Sequence, residues 1–288
     1  MNCTAAPPLS AAPDTFSAKR LSMVVGAEVG AYAGAMTLLY EVWYRHNDHI
    51  PFHFYNDNAG WMQIDKAGHF YSSYVQSICG LKAMKWAGVT RKKAIIYGGG
   101  LGIIMQTTIE TLDGFSDGWG ASPGDLIANT AGSLLVIGQE LAWNEQRFLL
   151  KFSYLPSPYT QYRPAYFGHT FFENFIRDYN GHTYWLSGNV RQFIPKFKLC
   201  PSWLNIAVGF GADGMLSEYK NPKYYHGTEL PVFERRRQLY LSFDVDLSRI
   251  HTGSKFFDAV LTGINFIKIP APGIEYNGSG FKFHPLCF

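Results

Sequence analysis

Three short polar motifs interrupt otherwise apolar stretches in the first half of this 288-residue chain. Asp65-Lys66-x-x-His69 opens one stretch, Glu110-x-x-Asp113-Gly114 closes the next, and Ser122-Pro123-Gly124-Asp125-x-x-x-Asn129 opens a third. Ionisable groups in apolar helices are costly unless paired, so their concentration here needs a cause. His69 with Glu110 and Asp125 can ligate a divalent metal and still leave positions open for substrate and water. His69 beside a carboxylate can instead exchange protons, with Lys66 neutralising a phosphate. A third reading is a fully paired network that fixes helix register without catalysis.

Each piece also has a plain structural role. Asp125 can cap a helix, Asp65 suits a positive helix start, and a lone His69 can be a satisfied core residue. Glu110 lies in the most apolar stretch and needs a partner. These residues meet only if the helices carrying them alternate in direction, which short connections favour. The start of the second helix, the end of the third and the start of the fourth then share one end of an up-down four-helix bundle. Asp65 and His69 share a face, which Ser72 and Gln76 extend; Gln106, Glu110 and Asp113 share another, and Asp125 and Asn129 a third. The glycine-rich loop 114–121 would cover the resulting pocket.

The four helical stretches run over about residues 21–44, 64–87, 93–112 and 122–147. The first carries Gly26-x-x-x-Gly30-x-x-x-Gly34, a stripe that lets another helix approach closely. The third holds Gly98-Gly99-Gly100-x-Gly102, poor helix formers by propensity. Ser122, Pro123 and Asp125 form a helix-start signature. After a connector punctuated by Pro156, Pro158 and Pro164, residues 183–190, 203–210 and 238–247 alternate as strands. Residues 255–266 read as a short amphipathic helix. Residues 274–276 and 280–283 read as strands around Asn277-Gly278. His284 and Phe288 resemble the aromatic ends of outer-membrane strands, although Pro285 breaks the alternation.

Charged residues are only 16% of the chain and aromatics reach 16%, a composition suited to membranes or large interfaces. A net charge of +3 and the absence of a recognition motif argue against nucleic acid. Cys3, Cys79, Cys200 and Cys287 lack thiolate-zinc spacing; Cys200 and Cys287 can pair in an oxidising compartment or remain free. Trp43, Trp61, Trp86, Trp119 and Trp143 fall near helix ends, as in interfacial belts. Lys19, Arg20, Arg91, Lys92, Lys93, Arg147 and Lys151 collect at one bundle end, and Asp57, Asp113, Asp117 and Asp125 at the other, with Arg45 and Lys66. Against full spanning stand Lys82, Lys85, Glu140, Glu145 and a mean hydropathy of −0.08. The bundle therefore either spans a bilayer or sits on it. Arg235-Arg236-Arg237 with Lys220 and Lys223 flank strands as solvated charges that an anionic lipid surface can use.

The motif residues Asp65-Lys66-Ala67-Gly68-His69-Phe70, Glu110-x-x-Asp113-Gly114-Phe115-Ser116 and Gly120-Ala121-Ser122-Pro123-Gly124-Asp125 through Gly132 resemble the YfiM-like family of predicted periplasmic lipoproteins of unknown function. Their spacing is also similar to VanZ-like membrane proteins, associated with glycopeptide tolerance. The second half resembles longer members found in Bacteroidota. The resemblance implies an envelope location, outer membrane or periplasm before inner membrane, and no defined reaction. No signal sequence or lipobox is visible at the start of the chain.

The expected fold is α+β, with a lead-in over 1–18, a helical bundle over 19–150, a connector over 151–182 and a β-rich region over 183–288. The leading functional expectation is an envelope protein that binds or organises envelope components through the polar pocket. His69, Glu110 and Asp125 would be its chemical or metal-binding groups, and Asp65, Lys66, Asp113, Ser122 and Asn129 its binding groups. The alternatives are a hydrolase acting on a lipid or cell-wall phosphate and an accessory subunit of an outer-membrane assembly. The expected partners are membrane lipid and an envelope protein.

Overall fold

The computed structural model describes residues 15–45, 47–194 and 200–288. Most of the expected lead-in, including Cys3, lies outside the described residues. The architecture is α+β: several helices are followed by a mainly antiparallel sheet. By contact the chain divides into two units, one formed by Met1–Tyr55 with Ser72–Asn144 and the other by Asn56–Tyr71 with Glu145–Phe288. The first turns of the second helix thus group with the sheet.

In the helical unit, α1 (Ala18–Leu39) starts where the Ser17 hydroxyl accepts the Arg20 amide at 3.3 Å. Ala18–Tyr44 is the one helix among the described residues long and apolar enough to cross a membrane. The stripe Gly26, Gly30 and Gly34 meets no atom within 4 Å of a built Cβ, so the close helix approach expected there is not made. Close approach occurs instead between α2 (Ile64–Trp86) and the glycine run of the third stretch. A Cβ on Gly98 would lie 2.6 Å from the Gly80 backbone, and one on Gly102 2.1 Å from the Ser73 carbonyl oxygen. That run also interrupts the expected single helix: Ala94–Gly98 is a π-turn, and α3 starts afresh at Leu101 and ends at Asp113. Helix α4 (Pro123–Trp143) begins as its sequence predicts, with Pro123 in the first position and Ser122 accepting the Asp125 amide at 3.1 Å. It ends at Asn144, whose left-handed φ of 57° stops the helix three residues before the expected limit.

The second unit holds a six-stranded antiparallel meander of β1 (Phe148–Tyr154), β2 (His182–Asn189), β3 (Leu204–Asp213), β4 (Arg236–Val245), β5 (Ala271–Tyr276) and β6 (Phe281–Cys287). Between β1 and β2 lies α5 (Phe171–Arg177), opened by a Thr170–Glu173 capping box. Between β4 and β5 lies α6 (Lys255–Gly263). Strand β1 was not expected; Lys151 is no charge at a bundle end but sits fully buried within this strand. Pro285 is accommodated because β6 is an edge strand, and the register shifts beside it. The other edge is covered where Phe152 bonds Phe266 and Lys268 through the main chain. Cys200 and Cys287 are both buried and free.

The buried face of this sheet is polar. Lys151 Nζ stands 2.9 Å from Asp244 Oδ2, with both side chains fully buried. The Ser187 hydroxyl donates to the same oxygen at 2.6 Å, and Asn205 donates to Ser187 at 2.9 Å. Removing one member of such a pair leaves an uncompensated charge. Lys151→Met is therefore expected to cost about 3–5 kcal/mol in denaturant unfolding, and Lys151→Met with Asp244→Leu distinctly less.

Candidate functional site

The expected site residues fall into two groups, one in each unit. In the second unit α2 is launched from an unusual turn: Trp61, Met62 and Gln63 all have left-handed φ, 46°, 52° and 71°. Three such residues without a glycine are strained and persist only where surroundings impose them. The Trp61 amide donates to the Glu218 carbonyl at 2.9 Å, and its ring stacks on Tyr166 and packs against Tyr179. Gln63 Oε1 accepts from the Arg237 guanidinium.

This turn aims the first residues of α2. Asp65 Oδ1 accepts the Tyr179 hydroxyl at 3.0 Å and lies 4.0 Å from His69 Nε2, one helical turn on. Lys66 Nζ sits 2.6 Å from Asp57 and 3.3 Å from Asp65. Two carboxylates therefore already bind the lysine that was expected to meet a phosphate. Glu218 belongs to the same neighbourhood: a Cβ on Gly60 would lie 2.6 Å from its Oε1. Burial above all, helped by the Asp57 and Asp65 charges, pushes the Glu218 carboxyl above its ordinary value, against the opposing hydrogen bond from Tyr219 and the smaller effect of Lys66.

In the helical unit Glu110 is buried, and its Oε2 accepts the Ser122 amide at 3.0 Å. The end of α3 is thereby tied to the start of α4. Ser122 in turn holds the buried Asp125 through its amide. Asn129 is fully buried, and its carbonyl accepts the Ser73 hydroxyl at 2.5 Å. Ser73 and Ser77 both reach Ser133, at 2.9 and 2.7 Å, and Ser77 also accepts the Gly102 amide at 3.2 Å. Ser73 and Ser77 thus lie on the flank of α2 that meets α4, beside the face on which Asp65, His69, Ser72 and Gln76 follow one another. Gln76 turns to Gln106 at 3.1 Å. Asp113 accepts the Tyr44 hydroxyl at 2.5 Å. The loop 114–121 is pinned along residues 48–55: Ile50 bonds Phe115, His53 bonds Gly114 and Tyr55 bonds Ala121.

Sequence reading placed Asp57 only among the charges at one bundle end and did not single out Glu218, Tyr179, Ser73, Ser77 or Ser133. Only the serines left a signal, since three small hydroxyl residues at helical spacing mark where helices can approach and hydrogen-bond. A raised carboxyl binds its proton more tightly in the folded chain, so its contribution to stability is greatest at low pH. That contribution falls as pH rises from the ordinary carboxylate value of 4.5 through the higher folded value. Glu218→Gln is accordingly expected to stabilise the chain at neutral pH and to lose the advantage below pH 4.5, measured as the denaturant midpoint against pH.

No curated protein and no solved structure matches the chain. The likeness to VanZ-like proteins has no counterpart in the comparisons. A family model spans every motif residue from Asp65 to Asn129, and its description fits a protein of the bacterial cell envelope. Residues 53–137 match the family described as Predicted periplasmic lipoprotein (DUF2279).

Proposed function

We propose that the chain is a membrane-associated envelope protein that binds an envelope component through a divalent metal held at the start of α2. The observation that carries this is the placing of Asp65 and His69 one helical turn apart, with His69 Nε2 4.0 Å from Asp65 Oδ1. A histidine beside a carboxylate is a donor pair suited to a divalent metal. Glu110, engaged with the Ser122 amide, fastens the start of α4 and does not carry this reading. An ion so placed keeps open positions that phosphate oxygens of a lipid or cell-wall component can fill.

The approach of His69 to Asp65 favours a second reading, in which the pair shuttles protons during hydrolysis of such a phosphate. Membrane association is supported by the exposed apolar surface of α1, where Val29 and Met23 face outward.

Metal analysis tests the proposal. Full-length protein exposed to Zn2+ or Mn2+ and then freed of excess ion should retain one ion per chain. His69→Ala and Asp65→Asn should lose it with helical circular dichroism unchanged. Failure of the wild type to retain either ion, or retention by both variants, sinks the metal-binding reading. Phosphate release from a lipid phosphate by the wild type, absent in His69→Ala, would select the hydrolytic reading over simple binding.

A further inference from the structure

The six-stranded sheet has its polarity reversed. Its buried side carries Lys151, Ser187, Asn205, Asp244 and Glu275, while its open side is apolar. The register makes that open side continuous from β2 to β6: Leu186 faces Val208, then Leu241, Ile274 and Phe283, while Leu150 beside Leu186 is buried. A second row joins Ile206 to Phe243, and a third joins Leu239 to Tyr276 and Phe281, while their neighbour Phe210 packs on the core of Ile64, Ala212 and Met215. Leu186, Val208, Leu241, Ile274 and Phe283 are between 41% and 66% exposed. No charged side chain belongs to these rows.

We propose that this face lies against the acyl chains of a lipid bilayer, the sheet acting as a membrane-embedded surface. Neither the helical metal site nor its chemistry is needed for this. Three features commit the face to lipid rather than to a second copy of the chain. The first is charge placement: cations stand at the ends of the strands, with Arg237 and the Glu234-paired Arg236 at one and Arg191 and the Glu145-paired Arg147 at the other. They complement anionic headgroups on both sides of an uncharged band. The second is aromatic placement. Trp203 and Phe193 are exposed at one end, and Tyr276, Phe281 and Phe171 at the other, as girdles at two membrane interfaces require. The third is length. The two central strands β3 and β4 have ten residues each, within the roughly 9–11 that cross a bilayer core, while the flanking strands have 7, 8, 6 and 7.

The polar interior supports the same assignment. A sheet that faced water would gain by turning its leucines and phenylalanines inward. This one uses the inner positions for a paired lysine and aspartate and their hydrogen-bonding partners, leaving the outer side for an apolar solvent.

The test uses the full chain in vesicles of phosphatidylcholine and phosphatidylglycerol, with a nitroxide on Leu241→Cys in a Cys3→Ala, Cys79→Ala background. Val208→Cys, its cross-strand neighbour, serves as the second position should the first fail to fold, and Ser279→Cys, in a turn, is the aqueous reference. The expected result is a label relaxed strongly by dissolved oxygen, with loss of the relaxation by a water-soluble nickel chelate that is seen at position 279. Strong relaxation by the chelate would put the face in water. Shielding from both agents would put it under protein. Either outcome overturns the proposal, and both leave the metal measurements untouched.

Discussion

The structure depends on satisfying polar groups where water does not reach. A buried lysine or aspartate is tolerable only beside an opposite charge and with its remaining hydrogen-bonding capacity used. In the sheet, Lys151 and Asp244 meet this condition together with Ser187 and the carbonyl of Val245. In the helices, hydroxyls and amides do the same at lower cost, since Ser73, Ser77 and Ser133 carry no net charge and fit where helices nearly touch. Large apolar side chains such as Ile104, Ile127 and Leu141 are left pointing outward. Both units thus specify their interiors by directional bonds rather than by apolar volume, and such bonds fix register strictly.

Within the helical unit that register is set by matched residue steps. The step from Ser77 to Ser73 on α2, matched by the step from Ser133 to Asn129 on α4, aligns the helices to within a residue. Glu110 then fastens the start of α4 to the end of α3 through the Ser122 amide. The left-handed turn at Trp61–Gln63 governs how the chain enters α2, and so where Asp65 and His69 stand. Its strain is held by Glu218 and Arg237, residues far away in sequence.

Features encoded by neighbouring residues were legible in the sequence. The start of α4 follows from Ser122, Pro123 and Asp125 alone, and β2, β3 and β4 follow from their alternation. The facing of Asp65 and His69 needs only the helical repeat. What escaped depends on distant partners. Strand β1 was hidden because Lys151 reads as solvated until Asp244 is brought beside it. None of the left-handed residues Trp61, Met62 and Gln63 is a glycine that would announce the turn, and the partnership of Lys66 with Asp57 crosses a bend that spacing cannot anticipate. The break before α3 was half visible: the glycines were plain, but their interruption of the helix arises with the close packing of Gly98 on Gly80.

The two edges of the sheet bear on how the chain behaves at high concentration. An open edge with regular donors invites a strand from another molecule and, from there, fibrillar growth. Here one edge is occupied by Phe266–Lys268. The other contains Pro285, which lacks an amide hydrogen, next to a shift in register. A strand arriving at that edge finds its ladder interrupted midway. The meander is therefore closed to templated extension on both sides, and an apolar, aromatic-rich chain gains protection from aggregating through its own backbone.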